Sequence, residues 1–416
     1  MFARRAGWDL TANAYSERVA ARRRTGLPVV DLTESNPTRC GIRASGAALA
    51  RALEALAGNV DCLRYEPDPR GAIAAREAIA RYHVEQGARL DAASVVLTSG
   101  TSEGYAHLFR LLADPGERVL VPEPSYPLFD LLAGLESVEV APYPLRWRAG
   151  RWRIDLEALE SAAASGARAL LVVHPNNPTG SLASAEEISA VRALCRDRGL
   201  ALVSDEVFAA FRNGSRAGLA PTTWLPSAEE AESAPLGFVL SGASKLLALP
   251  QLKAAWVAVG GPERLRDEAL ARLEVIADSF LSVSGLVQHA LPGLLADRAA
   301  IVAEVSERVA ASEAALANVL GQSPHAEILP REGGWSAIVR LRGEPPPDED
   351  ALVEALLDGP GVVVHPGWLF DLAPIDDDGH SVAHLVISLL APPREIERGA
   401  GGILAMLTGG NSGTCA

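Results

Sequence analysis

Short apolar runs alternate with helical patterns between about residues 94 and 260. Several of the runs lack the polar alternation of a strand with one solvent-exposed face, which favours strands covered on both faces by helices. The runs are SVVLTSG, RVLVPEPSY, VEVAPYPL, ALLVVHP, ALVSDEV, FVLSGAS and AAWVAVGG. We therefore predict an α/β fold whose large domain contains a mostly parallel, seven-stranded sheet.

The pattern changes after Gly261. An Ala-, Leu- and Arg-rich stretch over residues 262–320 predicts two helices with a break near residues 282–285. The strands GWSAIVRLR, GVVVHPG and AHLVISLL, the helix DEDALVEALLDG and a closing helix then predict a smaller α+β domain. The predicted organisation is an N-terminal arm with part of the small domain (1–45), a large domain (46–290), a small C-terminal domain (291–408) and a disordered tail (409–416).

The composition narrows the function classes. With 48% hydrophobic residues in 416, the chain can bury a large core, and its formal net charge of −14 argues against a nucleic-acid-binding surface. We find no apolar run long enough for a signal peptide or a membrane helix. The four cysteines are scattered, with no CxxC pair and no metal-ligand spacing. We expect a cytoplasmic protein with free thiols and without a metal site.

Lysine is almost absent from the chain. Of the 38 basic residues, only Lys245 and Lys253 are lysine, and the other 36 are arginine. Arginine serves equally well as a surface charge, but its guanidinium stays protonated and cannot attack a carbonyl carbon. Two lysines could also survive by chance. Lys245 follows a predicted strand and Lys253 begins the next one, so the scarcity is a first hint of nucleophilic amine chemistry that the rest of the chain has to support.

Five short motifs fall where predicted strands end, the edge at which open α/β sheets bind ligands. They are TSGTSE (98–103), PSYP (124–127), HPNNPTG (174–180), SDEVF (204–208) and SGASK (241–245). Gly100, Thr101 and Ser102 would offer backbone N–H groups and hydroxyls to a phosphate at a helix N-terminus, although such residues also simply cap helices.

The other motifs supply single side chains. Tyr126 places a ring after a strand, where it can stack on a flat cofactor or only pack. Two prolines and a glycine make a rigid turn that holds the Asn177 amide in one direction. Asp205 follows the apolar run ALV, so its partly buried carboxylate requires a cationic partner, and a pyridinium N–H would suit it.

These motifs, in this order and spacing, resemble the class I/II pyridoxal-phosphate-dependent aminotransferases of fold type I, the aspartate aminotransferase superfamily. LTESNP, RYEPDPRG and VVHPGWLF also match, and the resemblance covers about residues 31–390. It implies pyridoxal 5′-phosphate as cofactor, and a homodimer. It also implies a small-molecule amino donor with a keto or aldehyde acceptor, and neither nucleic acid nor a membrane as partner.

The resemblance also implies a role for each motif residue. The predicted catalytic residues are Lys245, which would form the Schiff base and shuttle the substrate proton, Asp205, which would pair with the pyridine N–H, and Tyr126, which would stack on the ring. Asn177 would donate to the ring O3′ and, with the backbone near Ser35, approach the substrate carboxylate.

The resemblance also implies which residues bind the cofactor phosphate. Gly100, Thr101 and Ser102 would hold the phosphate with help from Lys253, where arginine is common in the family. Tyr65 would reach the phosphate of the neighbouring subunit.

Three positions depart from the family pattern. Phe208 stands where most members carry a tyrosine, and Gly242 where a phosphate-binding serine is frequent, so that Ser241 or Ser244 would have to compensate. Val386 stands where the family has the arginine that clamps the substrate α-carboxylate. Either the substrate lacks that carboxylate, or another group binds it; the candidates are His365, His380, His384 and Arg39.

Three functions therefore remain open from the sequence. A transaminase is favoured by the full motif set. A decarboxylase or lyase of the same fold is made plausible by Val386. A non-catalytic cofactor-binding regulator has the least support, because Lys245, Asp205 and Asn177 are all present.

Overall fold

The computed structural model describes residues 1–11, 13–213, 221–343, 345–376 and 379–409. In these residues the helices are α1 (Ala14–Arg24), α2 (Ala44–Leu56), α3 (Ile73–Glu85), α4 (Thr101–Leu112), α5 (Phe129–Leu135), α6 (Leu156–Ala163), α7 (Ala185–Arg198), α8 (Ala243–Leu246), α9 (Glu263–Asp278), α10 (Gly285–Ala296), α11 (Arg298–Leu320), α12 (Glu349–Asp358) and α13 (Pro393–Gly409). The strands are β1 (Val30–Asp31), β2 (Val95–Thr98), β3 (Arg118–Glu123), β4 (Glu139–Arg148), β5 (Arg151–Ile154), β6 (Ala167–Val173), β7 (Ala201–Asp205), β8 (Gly237–Gly242), β9 (Ala255–Gly260), β10 (Ala326–Ile328), β11 (Ser336–Leu341), β12 (Val362–Val363), β13 (His365–Pro366) and β14 (Ala383–Ser388).

The large sheet confirms the predicted mostly parallel architecture. Its order is β2-β9-β8-β7-β6-β3-β4-β5, and the central strands from β8 to β4 pair in parallel. Every residue of β2, β8 and β9 is buried, which explains why these runs show no polar alternation. All seven predicted runs form strands of this sheet.

One strand of the described sheet is additional to the predicted seven. β5 pairs antiparallel with β4 through a turn at Ala149 and Gly150, both with positive φ, and the rings of Trp147 and Trp152 pack 5.6 Å apart across the hairpin. The turn has the left-handed backbone of a tight hairpin but not the Asn-Gly sequence that usually announces one. The hairpin extends the sheet edge without changing its class.

The smaller C-terminal domain contains an antiparallel sheet, as the α+β prediction requires. Its order is β10-β11-β14-β13, and β14 pairs with both β11 and β13. In addition, β1 pairs in parallel with β12, with Val30 opposite Val362, so the N-terminal arm joins this part of the molecule. The domain boundaries stay predictions, and residues 410–416 of the predicted tail lie outside the described residues.

The helical region over residues 262–320 differs from the prediction of two helices. The expected break lies between α9 and α10, but a second break at Asp297 separates α10 from α11. Asp297 accepts two hydrogen bonds from the Arg51 guanidinium on α2, at 2.8 and 3.0 Å. The break thus coincides with a tertiary contact, and neither Gly nor Pro is adjacent to Asp297 in the sequence.

None of the helices in the described ranges combines the length and apolar character that crossing a membrane would require.

Candidate active site

The carboxyl ends of the central strands open onto one cavity of about 540 Å³. The small domain closes it with β13, β14 and the residues that begin β11. Its lining includes most of the sequence-predicted site residues, namely Ser35, Thr101, Ser102, Tyr126, Asn177, Asp205, Ser244 and Lys245. The motifs that are far apart in the chain therefore meet at a single place.

Lys245 lies in the short helix α8, directly after β8. Its Nζ atom is 5.0 Å from the ring centroid of Trp335 and 5.6 Å from that of Phe208. Burial lowers the pKa of Lys245, and the nearby charge of Asp205 opposes that shift only partly. The amine is therefore deprotonated more readily than a surface lysine, as nucleophilic chemistry requires.

Asp205 ends β7 and presents its carboxylate to the same cavity. Its Oδ1 accepts a hydrogen bond from the Val207 N–H at 3.1 Å, and its Oδ2 accepts one from the Tyr105 hydroxyl at 3.0 Å. Burial raises the pKa of Asp205, while these two hydrogen bonds and the Lys245 charge act in the opposite direction. The carboxylate has capacity left for a cationic partner.

Asn177 lies within the turn of residues 174–180 and is also held by the small domain. Within the turn, Asn176 Oδ1 accepts a hydrogen bond from the Thr179 hydroxyl at 2.8 Å. The Ser336 hydroxyl donates to Asn177 Oδ1 at 3.2 Å, which leaves the Asn177 NH₂ group as the available donor. This orientation is the one that an acceptor such as a phenolic oxygen needs.

The N-terminus of α4 forms a second polar corner. Gly100 is its N-cap residue and no side chain in the described part of the chain caps the helix, so Thr101 and Ser102 do not have the simple capping role that the sequence left open. A Cβ atom added to Gly100 would lie 3.5 Å from the Lys253 Nζ, so an ammonium group stands beside these N–H groups. Free N–H groups with a neighbouring cation suit a phosphate.

The two predicted tyrosines differ in position. Tyr126 lines the Lys245 cavity and is 46% exposed, and burial of its hydroxyl raises the pKa of Tyr126. Tyr65 is 83% exposed and lines a separate cavity of about 330 Å³, together with residues such as Asp68 and Ser282. Within one chain, the structure does not bring Tyr65 to the Lys245 cavity.

Packing explains the glycine at position 242. A Cβ atom there would lie 2.8 Å from the Ala255 Cβ and 2.9 Å from the Ala254 carbonyl oxygen, so a serine does not fit without movement of β9. Of the two candidate substitutes, Ser244 lines the cavity, whereas the Ser241 side chain is buried without a hydrogen-bond partner among the described residues.

Val386 lies in the cavity wall at the position where the sequence resemblance expects an arginine. It is 2% exposed and pairs across the sheet with His365, which also lines the cavity. The other candidate cations lie outside the cavity lining. His384 is buried elsewhere, and His380 and Arg39 are exposed beside Asp376 and Glu34.

Several cavity residues were missed by the sequence analysis. Tyr105 contacts Asp205 from 100 positions away, and Trp335 and Ser336 come from the far domain. Tyr105 stands inside an ordinary amphipathic helix, so no local signal distinguishes it. The aromatic Trp335 follows a Gly-Gly pair before a strand, which is the single sequence signal that could have drawn attention to it.

Comparison with known proteins identifies the class. The family model of aminotransferase class I and II matches residues 28–379, and the chain belongs to this family. Members of the family use pyridoxal 5′-phosphate.

Individual curated relatives have low sequence identity to this chain. Nicotianamine aminotransferase 1 from Oryza sativa subsp. japonica is 29% identical over 279 residues, which cover 64% of this chain and 53% of that protein. An S-alkyl-thiohydroximate lyase from Arabidopsis thaliana is 29% identical over 228 residues, covering 54% of this chain and 48% of its own. The chain spans about half the length of these curated relatives.

Solved structures match over the whole length. An alanine aminotransferase from Pyrococcus furiosus has a TM-score of 0.84 at 18% identity, with 98% of this chain and 100% of that chain covered. At this identity the likeness shows the fold, the α/β architecture of fold type I.

The cavity fits the family's cofactor on the chemistry of its groups. An amine with a lowered pKa, a hydrogen-bonded carboxylate, an oriented amide and an uncapped helix N-terminus are present in the arrangement described above. These groups match the aldehyde, ring nitrogen, ring oxygen and phosphate of pyridoxal 5′-phosphate, respectively.

Proposed function

We propose that the protein is a pyridoxal-phosphate-dependent aminotransferase that moves an amino group from an amine or amino acid to a keto or aldehyde acceptor. The observation that carries the proposal is the shared cavity of Lys245 and Asp205, with the α4 N-terminus beside it. The names of the aminotransferase relatives support the same class of reaction.

Each residue has a defined task in this proposal. When bound, the cofactor withdraws electrons from the carbon that bears the amino group. Lys245 would hold the cofactor until the donor's amine takes its place, and the freed Lys245 amine would then take a proton from the donor carbon and deliver it to the cofactor carbon on the other side of the donor nitrogen. Asp205 keeps a proton on the ring nitrogen, Asn177 donates to the ring oxygen, and Tyr126 covers the ring. Thr101, Ser102 and Lys253 bind the phosphate.

A half-reaction tests the proposal. The cofactor-loaded protein, given an accepted donor without an acceptor, should accumulate pyridoxamine phosphate in proportion to donor consumed. Borohydride reduction of the loaded protein should fix the cofactor to Lys245, and Lys245→Ala should fold but convert no donor. Attachment of the reduced cofactor to Lys253 would contradict the assignment.

A second candidate function has support from a specific position. Val386 removes the family's carboxylate clamp, and one relative is named a lyase. In a decarboxylase or lyase the same half-reaction would release carbon dioxide or a leaving group and regenerate the original form of the cofactor. Product analysis therefore distinguishes the two functions in one experiment.

We propose that the substrate is not held through an α-carboxylate in the usual manner. A buried carboxylate requires hydrogen-bonded positive charge, and none of the described residues that line the cavity is an arginine. The Val386 wall is instead shared with apolar side chains such as Leu369 and Phe370. Asn177 and the Ser35 backbone would bind a carboxylate without a paired cation.

His365 is the histidine that lines this wall. Burial lowers the pKa of His365, with the Asp31 charge acting in the other direction, so the ring is mostly neutral near pH 7. A neutral ring donates one hydrogen bond but does not replace an arginine fork. We therefore propose that His365 contacts an uncharged polar group, or a weakly held carboxylate, next to the amine-bearing carbon.

Restoring the arginine tests carboxylate recognition. Single-turnover assays with alanine, aspartate, glutamate and phenylalanine should show poor conversion by the unaltered protein, and Val386→Arg should improve it. Val386→Leu controls for the change in volume without charge. Efficient conversion of any of these amino acids by the unaltered protein, with no gain from the arginine, would refute this proposal.

We further propose a homodimer in the cytoplasm. Tyr65 and the apolar side chains of Val60, Leu63 and Leu286 are each more than half exposed, so they are available to a second copy of the chain. This arrangement would allow Tyr65 of one copy to reach the phosphate site of the other.

A further inference from the structure

The hydroxyl of Tyr105 has one partner in the described residues, the Asp205 carboxylate. The distance from the hydroxyl oxygen to Asp205 Oδ2 is 3.0 Å, and Tyr105 is 4% exposed. The ring itself packs on Phe129, with centroids 5.4 Å apart, and on Phe109 at 6.0 Å. A phenylalanine would satisfy this packing equally well, so the hydroxyl has a separate role.

The direction of this hydrogen bond is defined. Burial, followed by the charge of Asp205 and the hydrogen bond itself, raises the pKa of Tyr105 well above its ordinary value. The hydroxyl therefore keeps its proton at any physiological pH and donates a hydrogen bond to the carboxylate. A hydrogen bond to a charged group is stronger than one between neutral groups.

The bond has a consequence for Asp205. Burial favours the protonated, neutral acid, which could not serve a ring N–H as a charged acceptor. The Val207 N–H on Oδ1 and the Tyr105 hydroxyl on Oδ2 stabilise the ionised form and fix the rotation of the carboxylate. Lys245 is the cation that also acts on it.

We propose that Tyr105 is a positioning residue that orients the Asp205 carboxylate and stabilises its charge for the ring nitrogen of the cofactor. This inference rests on the proposed function only in the role that it gives to Asp205. Tyr105 belongs to α4, the helix whose first turn is proposed to bind the phosphate. One element, α4, would thus act on the cofactor at both ends.

The experiment measures binding of pyridoxal 5′-phosphate to the apoprotein, not turnover. Tyr105→Phe should weaken binding by roughly tenfold, the effect of losing one hydrogen bond to a charged group. The matched control is Tyr143→Phe, since the Tyr143 hydroxyl is equally buried but donates to the Leu171 carbonyl, away from the cavity. This control should lose stability while binding the cofactor normally.

A double-mutant comparison separates positioning from general structure. In an Asp205→Asn background there is no charge to stabilise, so Tyr105→Phe should change cofactor affinity by less than twofold. An equal loss in both backgrounds would overturn the proposal, because it would indicate a packing role. If Tyr105→Phe does not fold, Tyr105→Met also lacks the donor and should give the same result.

The two proposals fail in different ways. If Asp205→Asn alone leaves cofactor affinity unchanged, the proposed role of Asp205 is wrong. If Asp205→Asn weakens binding and Tyr105→Phe does not, the role of Asp205 stands and the inference about Tyr105 is wrong.

Discussion

Phe208 sets the chemical surroundings of the Lys245 amine at the scale of single residues. Its ring packs edge-on against Trp335, with centroids 4.9 Å apart at 85°, and both rings face Nζ. A tyrosine here would add a hydroxyl donor, and phenylalanine adds none. The amine therefore lies beside two buried aromatic rings, in keeping with the burial that lowers the pKa of Lys245.

We predict that Phe208→Tyr lowers the pH at which the cofactor–lysine link loses its proton. A hydroxyl donor to the ring oxygen stabilises the unprotonated form, so its absence holds the proton to higher pH. A visible-absorbance titration of the loaded protein measures the midpoint. Phe211→Tyr is the control, since Phe211 also packs on Trp335 but does not line the cavity. An unchanged or higher midpoint in Phe208→Tyr would contradict the prediction.

A site residue could be predicted when the sequence pattern that marks it lies next to it in the chain. Asp205 ends the strand β7 and Lys245 is the third residue after β8, so the sequence pattern alone places both at the sheet edge. Tyr105 and Trp335 acquire their roles from residues in other elements, and a hydroxyl 100 positions from its carboxylate leaves no local pattern. Their roles could not have been predicted from one sequence.

At the scale of elements, the contact between β8 and β9 determines which residue fits at position 242, three residues before Lys245. The two strands pair antiparallel, with Gly242 opposite Ala255. The space above Gly242 is filled by the side chain and backbone of β9. A phosphate-binding serine at this point would require the strands to separate.

We predict that Gly242→Ser destabilises the protein by roughly 1–3 kcal/mol, the usual cost of forcing extra atoms into a packed site. Gly237→Ser in the same strand is the control, because a Cβ atom there would meet its nearest neighbours at 3.9 Å, an ordinary contact. Urea unfolding of both variants measures the difference. Equal stability of the two variants would show that β9 can yield.

Strands were predictable where a short apolar run marks them in the sequence. The seven predicted strands of the large sheet carry such runs within their own residues. The β5 hairpin and the break at Asp297 instead coincide with a Trp–Trp contact and with an ion pair to α2. Tertiary contacts of this kind override local propensity and are invisible in the pattern.

At the scale of the whole molecule, the exposed Tyr65 allows a test of whether two chains of a dimer share their active sites. In a shared site, Tyr65→Phe and Lys245→Ala damage the same site from different chains. A mixed dimer then contains one intact site and one doubly altered site. This symmetry argument holds for any two-fold assembly with composite sites.

We predict that equal amounts of the two inactive variants, mixed under exchange conditions, recover about a quarter of the normal activity, since half the dimers are mixed and half their sites are intact. Lys245→Ala mixed with Asp205→Asn is the control. Both of these residues line one cavity of one chain, so no intact site can form. A fully active monomer in sedimentation experiments would contradict the composite site.

Because Lys245 and Lys253 are the two lysines of the chain, a proteolytic digest can report whether a ligand is attached to Lys245. A protease that cuts only after free lysine releases the peptide of residues 246–253 when both Lys245 and Lys253 are unmodified. Once borohydride has sealed a ligand onto Lys245, the first cut is blocked and that octapeptide disappears from the digest. The loss of a single fragment thus counts the occupied sites in any sample, without a substrate and without a spectrum.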